Sequence, residues 1–173
     1  MNILIIFSGL PGTGKSTIAA ALAKKLSAVY LRVDSLETAL VRSGLVADQW
    51  DLGPAGYYAA QAVARDNLKN GLTVIADSVN PLEVTREAWR NAALTAGGPW
   101  REVTIGCSEK WEHQKRVGTR KSDIEGLRLP DWNQVLQRDY EPWTTPRFVV
   151  DTAMVPADRA AGMIADAAAA KAG

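Results

Sequence analysis

Two side chains that often build metal sites and disulfides are almost missing from this sequence. Among its 173 residues there is one cysteine, Cys107, and one histidine, His113. An intramolecular disulfide is therefore impossible, and no cluster of Cys and His at zinc-ligand spacing exists. These absences exclude a disulfide-stabilised scaffold and a structural zinc protein.

Net charge and long apolar runs are also scarce. The 20 Lys and Arg residues nearly balance the 19 Asp and Glu residues, for a formal net charge of +1. This balance disfavours a protein that grips long nucleic acids through a basic surface. The apolar start, residues 1–7, has no basic segment before it and leads straight into a glycine-rich loop. We interpret it as a buried strand of a cytoplasmic protein without a membrane segment, not as a signal peptide.

The order of apolar segments predicts an α/β fold. Short apolar or β-branched segments are separated by stretches with helical periodicity, such as Ile18, Leu22 and Leu26. This alternation is typical of βαβ units and of a doubly wound parallel sheet with helices on both faces. The length suits one domain, so residues 1–173 are expected to form a single domain around a five-stranded sheet. The predicted strands are residues 2–8, 28–33, 72–76, 101–107 and 148–150.

Several helix boundaries follow from capping signals. Asp34 stands three residues before Glu37, as in a capping box, so Asp34 is predicted to cap the second helix. Asn80, which a proline follows, is predicted to cap a later helix that ends before residues 97–99. Residues 42–56 contain several glycines and are predicted to cover a site as an irregular segment, and residues 156–171 are predicted to form the last helix.

A phosphate-binding loop follows the first predicted strand. Residues 9–16, Gly-Leu-Pro-Gly-Thr-Gly-Lys-Ser, match G-x-x-x-x-G-K-[ST] in full and lie between a strand and a helix, the context that the motif requires. Glycines let backbone N–H groups surround phosphate, Lys15 is expected to contact the β- and γ-phosphates, and Ser16 to bind Mg²⁺. No N-K-x-D string specifies guanine, so ATP is the expected nucleotide. The predicted nucleotide-binding residues here are Gly9, Leu10, Pro11, Gly12, Thr13, Gly14, Lys15, Ser16 and Thr17.

Motors, switches and kinases share this loop, so further residues must decide the reaction. Nearly the whole chain resembles a family of small P-loop kinases, the AAA-type ATP-binding "predicted kinases", which includes chloramphenicol phosphotransferase, gluconate kinase and the kinase domain of polynucleotide kinases. The resemblance implies an ATP- and Mg²⁺-dependent phosphotransferase with a small lid. Besides the loop, it rests on Val33-Asp34, Val74-Ile-Ala-Asp77, Arg116-Val-Gly-Thr-Arg120, Tyr140-Glu-Pro142 and Asp151-Thr152.

Two aspartates follow predicted strands. The resemblance implies that Asp34 is the general base for the acceptor hydroxyl; its sequence context also fits a helix cap alone. Asp77 follows an apolar strand, the Walker B arrangement, and is expected to hold Mg²⁺ or its waters, or to contact the acceptor. A simple turn at the strand end is the alternative for Asp77.

A local basic segment follows the fourth predicted strand. Arg116 and Arg120 are four residues apart, so they would share one helix face and could reach phosphate oxygens together. The resemblance implies that such arginines belong to a lid, here about residues 109–128, and neutralise charge on the transferred group. A solvated basic helix face is the alternative. Arg120 and Thr152 are also assigned to the nucleotide site.

The acceptor site is less specific. Acceptor contacts are expected from Asp34, Asp77 and the segment after the second strand, where Arg42, Trp50 and Tyr57 could bind a sugar, nucleoside or antibiotic-like molecule; core packing is the alternative for the aromatic residues. Transfer to a small hydroxyl-bearing molecule is the first expectation. A polynucleotide 5′-hydroxyl kinase is the second, and a regulatory ATP-binding protein with slow hydrolysis is the third. A monomer or a homodimer is expected.

Overall fold

The computed structural model describes residues 2–170 as an α/β domain built on one sheet. Its five strands are β1 (Leu4–Ser8), β2 (Val29–Arg32), β3 (Val74–Asp77), β4 (Trp100–Gly106) and β5 (Phe148–Asp151). The strand order is β2-β3-β1-β4-β5, and every pairing is parallel. The predicted five-stranded parallel sheet is confirmed.

Helices connect the strands and cover the sheet. They are α1 (Lys15–Leu26), α2 (Val33–Arg42), α3 (Ala55–Lys69), α4 (Glu83–Thr95), α5 (Lys110–Thr119), α6 (Trp132–Leu136) and α7 (Ala157–Ala169), with a short 3₁₀ helix at Gln49–Leu52. The predicted last helix is present except for its end at Lys171, which lies outside the described residues. None of the helices within residues 2–170 has the length and apolarity needed to cross a membrane.

The central strand β1 carries the core on both of its faces, since all five of its residues are buried. Ile5 and Phe7 pack toward α1 and α7, whereas Leu4 and Ile6 pack toward α3 and α4, where Trp89 is fully buried. Each such side chain contributes about 1.5–3 kcal/mol when it is fully buried. This burial fixes β1 and therefore the start of the glycine loop that follows it.

The short helix α6 was absent from the predicted elements. The Asp131 side chain accepts a hydrogen bond from Gln134 N at 2.8 Å, and the Gln134 side chain accepts one from Asp131 N at 2.9 Å. These two bonds form a capping box, which satisfies donors at the start of a helix. That signal is present in the sequence and could have identified α6.

Two predicted helix caps are wrong. Helix α2 begins one residue before Asp34, so Arg32 holds the N-cap position and the Asp34 carboxylate lies in the first turn without a capping hydrogen bond. Asn80 is fully buried with φ +48°, and its Nδ2 donates to the Phe7 carbonyl oxygen at 2.9 Å. Asn80 therefore ties the end of β3 to β1 instead of capping α4.

Candidate functional site

The loop at residues 9–16 has the backbone that phosphate binding requires. Gly12 and Gly14 have φ values of +85° and +87°, which disfavour a residue with a side chain. A Cβ at Gly9 would lie 2.2 Å from the Ile105 carbonyl oxygen. Helix α1 starts directly after the loop with no side-chain cap and no acidic residue in its first turn. Its N-terminal N–H groups and positive dipole are therefore available to an anion.

A buried ion pair joins this loop to the neighbouring strand β3. Lys15 Nζ lies 2.6 Å from Asp77 Oδ1, and the Tyr30 hydroxyl donates to Asp77 Oδ2 at 2.7 Å. Burial by itself raises the pKa of the Asp77 carboxyl, but the Lys15 charge and the hydrogen bonds from Lys15, Tyr30 and Ser16 outweigh it and hold the pKa below its usual value. Asp77 is therefore an ionised carboxylate that Lys15 and Tyr30 hold next to the loop.

These oxygen donors fit Mg²⁺. The ion binds proteins through one or two carboxylates, hydroxyl groups, waters and substrate phosphates, so it needs no complete cage of protein ligands. Within residues 2–170, no group of three or more His, Cys, Asp or Glu side chains converges on a metal site. The Ser16 hydroxyl and the ionised Asp77 are the side chains here that suit a hydrated Mg²⁺ shared with a nucleotide.

Helix α5 packs against the outside of the glycine loop. His113 Nε2 lies 2.8 Å from the Pro11 carbonyl oxygen, and a Cβ at Gly12 would come within 2.5 Å of Val117 Cγ2. The ring of His113 also meets Trp132 edge-on, with ring centroids 5.1 Å apart. Sequence reasoning used His113 only to exclude zinc and missed this contact. The first half of the predicted lid, helix α5, therefore packs against the phosphate loop and supports it.

Arg116 is held by neighbouring groups. Its Nε donates to Glu112 Oε1 at 2.9 Å, and Nη1 and Nη2 donate to Oγ1 and the carbonyl oxygen of Thr152 at 2.9 and 3.3 Å. Thr152 Oγ1 in turn donates to the Thr13 carbonyl oxygen at 2.8 Å. Arg116 therefore connects α5, the segment after β5 and the phosphate loop.

Arg120 is placed differently, which corrects the predicted shared helix face. Helix α5 ends at Thr119, and Arg120 has extended backbone angles of φ −64° and ψ 144°. Its Nε and Nη2 are buried and have no hydrogen-bond partner among the described residues. Burial lowers the pKa of Arg120, and the nearby Asp34 charge opposes that shift. A partly desolvated guanidinium whose buried nitrogens have no hydrogen-bond partner among the described residues is suited to bind an anionic ligand.

One cleft of about 1010 Å³ brings most of the predicted site residues together. It extends from the glycine loop, past the start of α2, to the irregular segment at residues 120–131. The lining includes Leu10, Pro11, Gly12, Gly14, Lys15, Ser16, Thr17, Asp34, Trp50, Tyr57, Arg116, Arg120 and Thr152. Gly9, Thr13 and Asp77 do not line the cleft, and the Thr13 hydroxyl donates a hydrogen bond to the Leu10 carbonyl oxygen.

Arg42 does not belong to this cleft, contrary to its prediction as an acceptor-binding residue. It lies at the last turn of α2, where its Nη1 pairs with Glu125 Oε2 at 3.1 Å. It lines a separate cavity of about 130 Å³. The length of α2 explains the difference, because Asp34 and Arg42 are eight residues, or about 12 Å, apart along the helix axis.

The cleft also contains a carboxyl group that sequence reasoning missed as a site residue. Glu37 lies one turn after Asp34, lines the cleft and is half-buried. Burial, and then the negative charge of Asp34, raises the pKa of Glu37 to about 7, against a weaker opposing effect of Arg138. Such a shift at the wall of a cleft marks a candidate functional group.

The raised pKa predicts a pH-dependent effect of Glu37 on stability. A carboxyl whose pKa rises from 4.5 to about 7 on folding contributes its full stability below pH 4.5 and loses it as the pH rises through 7. Glu37→Gln should therefore raise the free energy of unfolding at pH 8, by on the order of 1–2 kcal/mol after solvent screening, and change it little at pH 4.5. Urea denaturation at both pH values measures this difference. The exposed Glu87→Gln is the control, and an equal effect of Glu37→Gln at both pH values would contradict the assignment.

The parallel sheet, the glycine loop and the Lys15–Asp77 pair together define a P-loop nucleotide-binding protein. A model of the family described as "AAA domain" matches residues 4–142. The chain belongs to this family.

Relatives and solved structures extend the comparison. An Aeropyrum pernix protein named "Probable adenylyl-sulfate kinase" is 28% identical over 161 residues, which cover 87% of this chain and 84% of the relative. A Mycobacterium tuberculosis APS kinase, solved with AMPPNP and APS, is 22% identical with a TM-score of 0.66, covering 95% of this chain and 96% of that one. A Sinorhizobium meliloti gluconokinase is 18% identical with a TM-score of 0.62, covering 99% and 98%. The predicted class, an ATP-dependent kinase of the small P-loop type, is confirmed.

Proposed function

We propose that this protein transfers the γ-phosphoryl group of ATP to a hydroxyl group of a small molecule such as a sugar, a nucleoside or an antibiotic-like compound. The observation that carries this proposal is the shared cleft, in which Asp34 and the unpaired Arg120 lie on the same cavity as the phosphate loop. A base, an anion-binding arginine and a phosphate cradle are the parts that phosphoryl transfer needs.

The nucleotide binds at the loop. Backbone N–H groups of residues 9–16 and the N-terminus of α1 surround its phosphates, and Lys15 exchanges its contact with Asp77 for the β- and γ-phosphates. Ser16 and Asp77 would hold Mg²⁺, which would neutralise phosphate charge when bound. Thr152 borders the nucleotide end of the cleft through its contacts with the loop.

Asp34 receives the proton of the acceptor hydroxyl. The hydroxyl oxygen forms a bond to the γ-phosphorus, the bond from that phosphorus to the β–γ bridging oxygen breaks, and ADP leaves with the electron pair. The side chain of Asp34 accepts no hydrogen bond from the described residues, so its oxygens are free to accept one from the acceptor.

Arg120 stabilises charge on the transferred group, whereas Arg116 fixes the wall beside it. The segment at residues 120–131 spans the cleft as the lid, and ion pairs connect it to the end of β2 and to the loop after α2. The pairs are Arg32 with Asp123 and Arg128 with Asp48, at 2.8 and 2.9 Å. In each pair one partner is largely exposed, and exposed pairs contribute little, about 0–1 kcal/mol each.

A screen for acceptor-dependent ADP release tests the function. ATP and Mg²⁺ are incubated with the protein and, separately, with D-gluconate, adenylyl sulfate, D-glucose, adenosine, chloramphenicol and an oligonucleotide with a 5′-hydroxyl. A kinase for small acceptors releases ADP with one of the small molecules and little without it. Stimulation by the oligonucleotide alone would identify a polynucleotide kinase. Hydrolysis that no acceptor changes would identify a regulatory ATP-binding protein and contradict the proposal.

A further inference from the structure

Glu37 has no part in the reaction described above, yet it occupies the wall of the same cleft. It lies three positions after Asp34 on α2, so both carboxyl groups lie on one face of the helix. Both line the cleft. The Glu37 carboxyl group therefore has the position expected of a side chain that binds the acceptor next to its reacting hydroxyl.

The position of Glu37 is set by close packing. A Cβ at Gly56, in the first turn of α3, would lie 2.2 Å from Glu37 Cγ and 2.7 Å from its Oε1. The side chain therefore rests directly on the α3 backbone, and this contact holds its carboxyl group in the cleft. Side chains held in this way are suited to specific binding because little rotamer freedom remains to be lost.

The carboxyl group of Glu37 has no hydrogen-bond donor among residues 2–170, and no ion pair is formed with it there. The charged and titratable groups that face it are Asp34 on the same helix, Tyr57 on α3 and Arg138 after α6. Burial raises the pKa of Tyr57 to about 12, so that hydroxyl stays neutral. Arg138 lines the cleft without an ion pair to any described residue. A half-buried carboxyl without a donor is costly unless a ligand supplies one.

We propose that Glu37 accepts a hydrogen bond from a second hydroxyl group of the acceptor, next to the hydroxyl that Asp34 deprotonates, so that the enzyme selects polyhydroxylated acceptors. This inference rests on the proposed function because it concerns the acceptor of that reaction. A site built to bind a substrate hydroxyl rejects the analogue that lacks it, since the buried group is then left unpaired. Sugars and the ribose of nucleosides have adjacent hydroxyl groups of this kind.

Matched pairs of probes test the inference. Adenosine is compared with 2′-deoxyadenosine and 3′-deoxyadenosine, and D-glucose with 2-deoxy-D-glucose, by thermal-shift titration in the presence of AMPPNP and by acceptor KM with ATP. The wild-type protein should bind one hydroxylated probe about 10-fold or more tightly than its deoxy analogue. Glu37→Ala should remove that preference by raising the acceptor KM of the hydroxylated probe about 10-fold. Glu87→Gln, on the exposed side of α4, should keep the preference.

The charge of Glu37 supplies a second readout. Because its pKa is about 7, the wild-type affinity for the hydroxylated probe should rise between pH 6 and pH 8, as the carboxylate becomes the stronger acceptor. Glu37→Gln, which keeps the shape of the side chain, should flatten this dependence. Flattening of this kind is absent if Glu37 has a purely structural role.

The outcomes distinguish failure of the Glu37 proposal from failure of the proposed phosphoryl transfer. A preference that survives in Glu37→Ala, or equal binding of every pair by the wild-type protein, overturns the role of Glu37 and leaves phosphoryl transfer intact. Binding of no probe overturns it as well. A preference that Glu37→Ala removes, without ADP release from any acceptor, supports Glu37 and contradicts the proposed function.

Discussion

Replacing Asp34 by asparagine is expected to lower kcat by about 10²- to 10⁴-fold, the range that general-base catalysis supplies. Asparagine keeps the size and polarity of the side chain but does not take up a proton at neutral pH. Acceptor-dependent ADP release, with the acceptor identified by screening, measures the effect. The KM for ATP should change little because Asp34 lies beyond the phosphate loop in the cleft.

The same substitution should leave the protein folded. Asp34 is not the cap of α2, so the variant loses the interaction of a charge with the first turn of a helix, about 0.3–1 kcal/mol, and it removes a negative charge near Arg120 and Glu37. Helix α7 offers a matched control, because Asp158 is the second residue of that helix as Asp34 is of α2. Asp158→Asn should cost similar stability and keep full activity. Wild-type turnover in Asp34→Asn would rule out the general-base role.

Removal of the Arg120 guanidinium has the second large expected effect. Arg120→Ala should lower kcat by about 10²- to 10³-fold, the usual cost of removing one group that stabilises charge in a transition state. The KM for ATP should change only a few-fold, since the phosphate loop and Lys15 remain. Steady-state kinetics at saturating acceptor separate the two parameters.

Stability distinguishes Arg120 from its neighbour Arg116. Arg120 has buried nitrogens without partners, so Arg120→Ala should not lower the melting temperature. Arg116 bonds both Glu112 and Thr152, so Arg116→Ala should lower the melting temperature and weaken ATP binding. The exposed Arg159→Ala is a control for loss of positive charge. A kcat for Arg120→Ala that equals the wild-type value would remove Arg120 from the mechanism.

The contrast between these two arginines shows where local sequence patterns stop being informative. Their four-residue spacing predicts a shared helix face, but the helix ends between them. Arg116 donates to Thr152, which lies 36 residues further along the chain, and Arg120 has no such partner among the described residues. A partner so distant in sequence has no signal in the local pattern.

The N-terminus of helix α4 is a second place where the local sequence pattern gives the wrong partner. Asn80 has the local signature of a cap, yet the Glu83 N–H donates its hydrogen bond to Glu141 Oε2 at 2.5 Å. Glu141 lies 58 positions further along the chain. Asn80 is instead drawn into the core beside Phe7.

What the sequence determined by itself is local or periodic. Continuous apolar runs and turn signals specify the five strands, and the glycine loop between a strand and a helix specifies nucleotide binding, because these depend on neighbouring residues. The position of polar residues at the carboxyl ends of parallel strands likewise brings Asp34 and Asp77 to one edge of the sheet.

Only the tertiary structure decided which side chains are satisfied and which are free to bind. Lys15 is neutralised by Asp77 and Arg116 is bonded, whereas within residues 2–170 two buried nitrogens of Arg120 have no hydrogen-bond partner and the half-buried Glu37 forms no ion pair. Desolvation and pairing depend on groups that separate elements place around a side chain, so they arise only when the chain is folded. For that reason the sequence identifies the phosphate site, and the fold identifies Glu37 as the candidate selector of the acceptor.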